Sequence, residues 1–166
     1  MAGIPPRPTR SPAIQVAGFI AKFDPAIAQL VRSARRALRA RFPTAVELVY
    51  DNYNALAIGW GPDERASHVI VSLAVFPRGL DLYFTRGITL PDPDKLLKGT
   101  GSQGRFIRLD SVAQLDHPSV AALLNAAVRQ SETPLPTEGL GYTVVKSISS
   151  KQRPRRPGRS SQRPTR

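Results

Sequence analysis

The side chains best suited to specific recognition cluster where one predicted strand ends and the next begins. Residues 47–54 (ELVYDNYN) combine carboxylates, carboxamides and phenols. Amphipathic aromatic and amide side chains are typical of small-ligand pockets. Turn chemistry explains the same residue types, because Asp and Asn favour turns and Tyr fills half-buried strand positions. The sequence predicts a ligand-binding cleft that also draws on two neighbouring strands, formed by Glu47, Tyr50, Asn52, Trp60 and Tyr83.

A second candidate site is the basic stretch over residues 146–166. Residues 146–166 hold eight Lys and Arg residues and no Asp or Glu. Paired arginines bind phosphates well. Because no aromatic residue interleaves them, we expect any contact with nucleic acid to be electrostatic and nonspecific. A solubilising tail is the alternative. The cations expected to contact a nucleic acid or other polyanion are Lys151, Arg153, Arg155, Arg156 and Arg159.

Residues 99–104 (GTGSQG) match the spacing G-x-G-x-x-G of dinucleotide-binding loops. That fingerprint requires a strand before it and a helix after it, because the helix N-terminus holds the pyrophosphate. Here a short helix is predicted over residues 93–98 and a strand over 105–109, so the context is inverted. A helix end followed by a flexible loop explains the glycines better, and no cofactor is expected.

Catalytic and metal-binding patterns are scarce. The chain has no Cys and two His residues, which removes thiolate nucleophiles and Cys-ligated zinc. His68 and Ser72 lie four residues apart on a predicted strand, about 13 Å, too far for a nucleophile–base pair. Asp92 fails as the start of a calcium loop because Leu96 occupies a ligand position. Spacing along the chain reveals only groups of residues that are close in sequence, so a catalytic site assembled from distant residues would escape it. The sequence favours a binding protein and does not indicate a particular reaction.

Periodicity predicts the elements that position these residues. Apolar residues at helical spacing indicate helices over residues 25–41 and 118–130, each beginning at a proline. Alternation predicts strands over residues 45–50, 54–60, 69–76, 80–85 and 105–109, with 142–148 as a candidate extra edge strand. The short connections favour hairpins. We expect an α+β fold: an antiparallel sheet of about five strands with an N-terminal and a C-terminal helix packed on one face.

Charge and composition divide the chain into three parts. Residues 1–12 and 146–166 hold ten of the 24 Lys and Arg residues and no acid, so residues 13–145 carry a net charge of only +2. Proline-rich, basic ends bury too little apolar surface to offset the entropy of ordering. The sequence predicts a disordered arm over residues 1–15, a folded domain over 16–148 and a disordered basic tail over 149–166.

The same composition bears on location. No apolar run approaches the roughly 20 residues that span a bilayer. The first residues contain no continuous apolar stretch of signal-peptide type. We therefore expect a cytoplasmic protein with no membrane contact.

An ordered series of motifs resembles the YdhG-like domain-of-unknown-function family. The resemblance covers roughly residues 16–156. It rests on the order of the motifs along the chain, since no single motif is diagnostic. The matching segments are residues 23–25 (FDP), 47–56 (ELVYDNYNAL), 77–79 (PRG), 90–99 (LPDPDKLLKG), 105–109 (RFIRL) and 145–156 (VKSISSKQRPRR).

The resemblance implies a small bacterial cytosolic α+β domain without an established activity. One branch of the fold family is linked to a frataxin-like iron-chaperone role, which needs an exposed acidic surface.

The residues and the resemblance together give three hypotheses: a non-catalytic small-ligand or protein binding module, nonspecific nucleic-acid association through the basic tail, and intracellular iron chaperoning. The oligomeric state and the ligand stay open.

Overall fold

A computed structural model describes residues 10–158 of the chain. Within that range the fold is α+β, with three α-helices and one six-stranded sheet. The helices are α1 (Pro12–Ala21), α2 (Pro25–Arg41) and α3 (Pro118–Gln130). The strands are β1 (Val46–Asp51), β2 (Leu56–Gly61), β3 (Val71–Phe76), β4 (Gly79–Phe84), β5 (Arg105–Leu109) and β6 (Thr143–Ile148). None of the helices in these residues is long and apolar enough to cross a membrane.

Each α-helix begins at a proline, whose fixed φ suits the first helical position. The bounds predicted for α2 and α3 agree with the structure. Helix α1 begins at Pro12, and its Val16, Phe19 and Ile20 are buried in the core. Residues 12–15, predicted to belong to a disordered arm over 1–15, are therefore helical, because the apolar residues that follow them give the helix a packing surface.

The sheet has the strand order β5-β4-β3-β2-β1-β6. Strands β1 to β5 pair antiparallel, as predicted. Strand β6 runs parallel to β1, so the sheet is mixed and has six strands, not about five antiparallel ones. A parallel neighbour needs a crossover connection, and α3 with residues 131–142 carries the chain from β5 at one sheet edge to β6 at the other.

The core lies between the helices and one face of the sheet. On β3, Val71, Leu73 and Val75 are buried, whereas the alternating Ser72 and Ala74 are half-buried on the opposite face. Buried residues of all three α-helices join the same core cluster as the first face. The prediction that the helices pack on one face is confirmed by this cluster.

The glycine-rich stretch forms a loop, as expected, although the helix predicted before it is absent. Both carboxylate oxygens of Asp92 accept backbone N–H bonds, from Leu96 and Leu97 at 2.9 Å each. Lys98 and Phe106 then exchange two backbone hydrogen bonds of 2.9 Å, which closes the loop. The side-chain bonds of Asp92 compete with a helical ladder over these residues.

Candidate functional site

The five residues of the predicted cleft do not share one surface. Glu47 and Trp60 are register partners on the core-facing side of β1 and β2. Tyr50 is three residues from Glu47 and lies on the opposite face, which Tyr83 of β4 also occupies. Strands β1 and β4 are three strand spacings apart, about 14 Å. Asn52 lies outside the strands, in the β1–β2 turn.

Glu47 is a buried structural anion, only 2% exposed. Arg35 of α2 donates two hydrogen bonds to its two oxygens, Nε to Oε2 at 2.9 Å and Nη2 to Oε1 at 2.7 Å. The hydroxyl of Thr143 on β6 donates a third at 2.8 Å. A bidentate arginine matches the carboxylate geometry closely. Glu47 thereby joins α2, β1 and β6.

Glu47 and Trp60 do line one small recess of about 230 Å³. Arg39 reaches within 3.9 Å of Glu47, and Tyr142 lines the opening and donates a hydrogen bond to Glu64. The indole Nε1 of Trp60 is buried and has no hydrogen-bond partner among the described residues. This recess is the part of the predicted cleft that the structure assembles.

The C-terminal basic segment, defined here as residues 149–157, packs against the domain. Ser149 donates its backbone N–H to Asp51 at 2.8 Å, and Arg153 donates its own to Tyr53 at 2.9 Å. The side chain of Arg155 is buried. Residues 149–157, predicted to belong to a disordered tail over 149–166, are therefore held against the domain. Residues 1–9 and 159–166, including Arg159, lie outside the described residues.

Asp51 at the end of β1 is the acid that receives this segment. Its side chain is fully buried and accepts hydrogen bonds from Lys22 Nζ at 2.9 Å and Arg155 Nη2 at 2.8 Å. Burial alone raises the pKa of Asp51, but hydrogen bonds from Gln152, Lys22 and Arg155 outweigh burial and hold that pKa below its ordinary value. The carboxylate is therefore ionised in the folded protein at neutral pH.

Arg155 is anchored rather than available to a polyanion. Besides Asp51, its Nη2 donates to the carbonyl of Asn52, and its guanidinium lies 5.7 Å from the centre of the Phe23 ring. Its Nε and Nη1 have no hydrogen-bond partner among the described residues. The prediction that Arg155 contacts phosphate needs correction, since a buried, paired guanidinium does not face solvent.

A basic groove lies beside the anchored segment, at the sheet end that carries the β1–β2 and β3–β4 turns. Arg78 of the β3–β4 turn and Arg153 and Arg156 of the C-terminal basic segment line it together. The groove encloses about 620 Å³ and has no acidic side chain among its described lining residues. Its other lining residues are Asn54, Phe76, Pro77, Pro154 and Pro157.

All three groove arginines are exposed, and contacts within the protein orient the side chains of two of them, Arg153 and Arg156. The Arg153 guanidinium lies 5.6 Å from the centre of the Tyr53 ring, within cation–π range. Arg156 donates Nε to the Lys22 carbonyl at 3.2 Å and lies 3.8 Å from Asp24. Although the basic stretch itself contains no aromatic residue, folding brings Tyr53 to its arginines. Lys151 is exposed but does not line the groove.

Sequence reasoning missed a His–carboxylate pair. His68 lies in a short 3₁₀ turn rather than a strand, and its Nδ1 is 2.8 Å from an oxygen of Asp63. The other Asp63 oxygen accepts the backbone N–H of Arg65. Gly61 lies directly against the His68 carbonyl, which leaves no room for a Cβ. His68 also lines a cleft of about 80 Å³ at the C-terminal end of α3. The Asp-x-x-x-x-His spacing alone carries no signal for such a pair.

Metal-ligating side chains are dispersed in the part of the chain that the structure describes. No group of three or more His, Asp and Glu side chains in residues 10–158 could hold a metal ion. The buried carboxylates of Glu47 and Asp51 are bonded to cationic side chains instead. Iron chaperoning therefore has no donor cluster among these residues.

Comparisons with family models, curated proteins and solved structures find no match for this chain. Membership of the YdhG-like family stays a prediction from the ordered motifs. The contacts and charges of the basic groove are the grounds for assigning a function.

Proposed function

We propose that the protein binds nucleic acid through its phosphate backbone in the basic groove, without sequence preference and without catalysis. One observation carries the proposal: Arg78 and the pair Arg153 and Arg156, from two distant parts of the chain, line one groove that contains no described acidic residue. Guanidinium groups bind phosphate oxygens in bidentate geometry. An array of exposed arginines raises the local concentration of polyanions. Arg156 lies 3.8 Å from Asp24, whereas no carboxylate pairs with Arg78 or Arg153 among the described residues.

The shape of the groove fits backbone binding better than base recognition. Its arginines belong to the β3–β4 turn and to the C-terminal basic segment, so none of them lies on a helix or strand that could enter a major groove. Contacts of this kind position a protein on nucleic acid but carry no sequence information. The affinity therefore depends on the number of phosphates neutralised and on salt.

Fluorescence anisotropy of a labelled mixed-sequence DNA duplex tests the proposal. The full chain is titrated at several salt concentrations and compared with the R78Q/R153Q/R156Q variant. Release of counterions gives a log–log slope of about −0.9 per phosphate contact, so loss of three contacts flattens the slope by about 2.7. We expect the Kd of the triple variant to rise more than about tenfold at low salt.

A charge-matched control separates this groove from general attraction. R32Q/R36Q/R129Q removes three exposed arginines of α2 and α3 that do not line the groove. Equal losses in the two triple variants would show diffuse attraction and overturn the proposal. Absence of binding by the wild-type chain at low salt would overturn it as well.

A second candidate function is the binding of a small polar ligand in the recess beside Glu47 and Trp60. Trp60 Nε1, which has no acceptor within residues 10–158, favours it, because a buried donor without an acceptor costs free energy. Trp60 is the only tryptophan of the chain, so its fluorescence reports on this recess. A saturable change in emission with a ligand, lost in R39Q, supports the candidate. Unchanged emission across a fragment library opposes it.

A further inference from the structure

We infer that the buried acid Asp51 is the positioning residue that assembles the phosphate-binding groove. The inference rests on the proposed function and adds the structural condition on which that site depends. An acidic residue is thus required for a polyanion site that it does not touch.

The anchor is a single carboxylate that holds two distant parts of the chain. Oδ1 of Asp51 accepts from Arg155, and Oδ2 accepts from Lys22 at the end of α1. Gln152 donates to the Asp51 carbonyl at 3.2 Å and accepts from Lys22 at 3.1 Å. Two residues of the C-terminal basic segment therefore converge on the end of β1.

The anchored residue lies between the two groove arginines of the same segment. Arg153 is two residues before Arg155, and Arg156 is the next residue after it. Arg153 and Arg156 are both exposed while Arg155 between them is buried, so anchoring Arg155 fixes the position of both groove arginines. Arg78 comes from the β3–β4 turn, so the groove exists only while the segment is held beside that turn.

Burial shields the ion pair between Asp51 and Arg155 from salt. Asp51 is fully buried and Arg155 is 5% exposed, so salt screens this pair far less than it screens the groove arginines. An unpaired carboxylate at this depth carries a large desolvation cost. The folded domain with an ionised Asp51 therefore favours the docked segment.

The inference makes a prediction opposite in sign to simple electrostatics. Replacing an acid by a neutral residue raises the net charge and by charge alone tightens binding to DNA. Asp51→Asn removes the ionic anchor, so we expect it to weaken DNA binding as strongly as R78Q/R153Q/R156Q does. Glu138→Gln, at an exposed position, is the matched control and is expected to leave binding unchanged or slightly tighter.

Docking is measured separately by limited proteolysis with trypsin, read by mass spectrometry. Trypsin cuts poorly before proline, which protects the bonds after Arg153 and Arg156. The Lys151–Gln152 and Arg155–Arg156 bonds are therefore the informative sites within residues 149–157. We expect cleavage after Arg155 to be slow in the wild type and in E138Q. We expect it to be at least about tenfold faster in D51N, because opening precedes cleavage.

The two measurements separate the inference from the proposed function. Fast cleavage in D51N without DNA binding by the wild type overturns the function and keeps Asp51 as the anchor. DNA binding that requires the groove arginines but is unchanged in D51N overturns the inference alone. Unchanged cleavage in D51N also overturns it.

A second variant guards against a folding defect in D51N. Arg155→Gln removes the other partner from a segment that can move into solvent, and Arg129→Gln controls for the lost charge. We expect R155Q to speed cleavage at Lys151 and to weaken DNA binding more than R129Q does, with near-ultraviolet circular dichroism of Trp60 unchanged. Equal DNA binding in R155Q and R129Q would contradict the inference.

Discussion

At the scale of single residues, three buried carboxylates each pair with an arginine but differ in the number of hydrogen-bond donors around them. Glu47 is held by two bonds from Arg35. Asp51 is held by several donors, whereas Asp81 has Arg108 Nε at 2.7 Å. Burial costs each of them solvation, and only sufficient partners repay it. The pKa of Asp81 is raised because its burial outweighs the attraction of Arg108 and Lys98. The fold thus favours the ionised form of aspartate at position 51 and disfavours it at position 81.

Glu47→Gln is expected to destabilise the fold by about 3 kcal/mol, because it leaves the Arg35 guanidinium without its carboxylate. Urea unfolding measures the change, and E138Q is the control, with an expected effect within about 0.5 kcal/mol. E47M/R35M removes both charges and should recover part of the loss. An E47Q protein as stable as wild type would show that the pair contributes nothing.

The pH dependence of stability should differ in sign between the two aspartates. The folded-state pKa of Asp51 is lowered, so its stabilisation is present above the ordinary carboxyl value of 3.8 and is lost as pH falls through the lower value. The raised pKa of Asp81 means that its ionisation, as pH rises, costs stability. Near pH 7 we expect D51N to melt below wild type and D81N to melt at or above it.

Melting curves by circular dichroism from acid to neutral pH check both signs. The difference in melting temperature between wild type and D51N should shrink toward the acid limit, because protonated Asp51 no longer holds Lys22 and Arg155 as an anion. A D81N protein that melts well below wild type at neutral pH would show that the Arg108 pair outweighs desolvation.

At the scale of elements, β6 brings the C-terminal basic segment to its docking place. It enters through Gly141, whose N–H donates to the Pro43 carbonyl at 2.8 Å, and a Cβ there would overlap the Ala45 carbonyl. Close backbone approach of this kind requires glycine. By contrast, Gly18 of α1 has open space around its Cβ position. Glycine therefore positions β6, whereas in α1 it only lowers helix stability.

We expect Gly141→Ala to destabilise the protein by about 1–3 kcal/mol through overpacking. Gly18→Ala should stabilise it by about 0.5–1 kcal/mol, because alanine suits a helix interior better. Thermal unfolding measures both. A Gly141→Ala protein that melts at or above the wild-type temperature would contradict the crowding at Gly141, and a Gly18→Ala protein that melts below it would contradict the open space at Gly18.

At the scale of the whole molecule, the C-terminal basic segment ties together parts that are distant in sequence. It contacts Asp51 and Tyr53 around the β1–β2 turn and Lys22 between α1 and α2, and it lines the basic groove together with Arg78. Since residues 13–145 have a net charge of only +2, docking this segment also concentrates positive charge at one end of the sheet. Stability and the proposed function therefore share the same contacts.

Deletion of residues 149–166 should lower the melting temperature by about 4–8 °C, the equivalent of roughly 2 kcal/mol. Asp51 loses its Arg155 and Gln152 partners in this variant. D51N should then add little in the truncated chain, because neighbours in one network are not additive. R153Q/R156Q, which keeps Arg155, should melt near wild type. Additive effects of truncation and D51N would argue against one shared network.

Much of the fold was predictable because its signals are local. A proline at the first helical position and apolar residues at helical spacing define α2 and α3 within the neighbouring sequence. Alternation predicted the strands. The helix predicted over residues 93–98 is absent, because the side chain of Asp92 accepts hydrogen bonds from the backbone N–H groups of Leu96 and Leu97. The candidate site was less predictable: Trp60 and Glu47 meet, but alternation separates Tyr50 from them.

Sequence alone determined helices α2 and α3, strands β1 to β5, the apolar face of the sheet and the basic character of the two ends, since each depends on residues within a few positions of one another. Tertiary structure alone decided that β6 lies parallel to β1 and that Arg155 is buried on Asp51, 104 residues away. Such contacts depend on which surfaces remain unpaired after the core has formed, and no local pattern records that. Three arginines of two segments became one groove for the same reason.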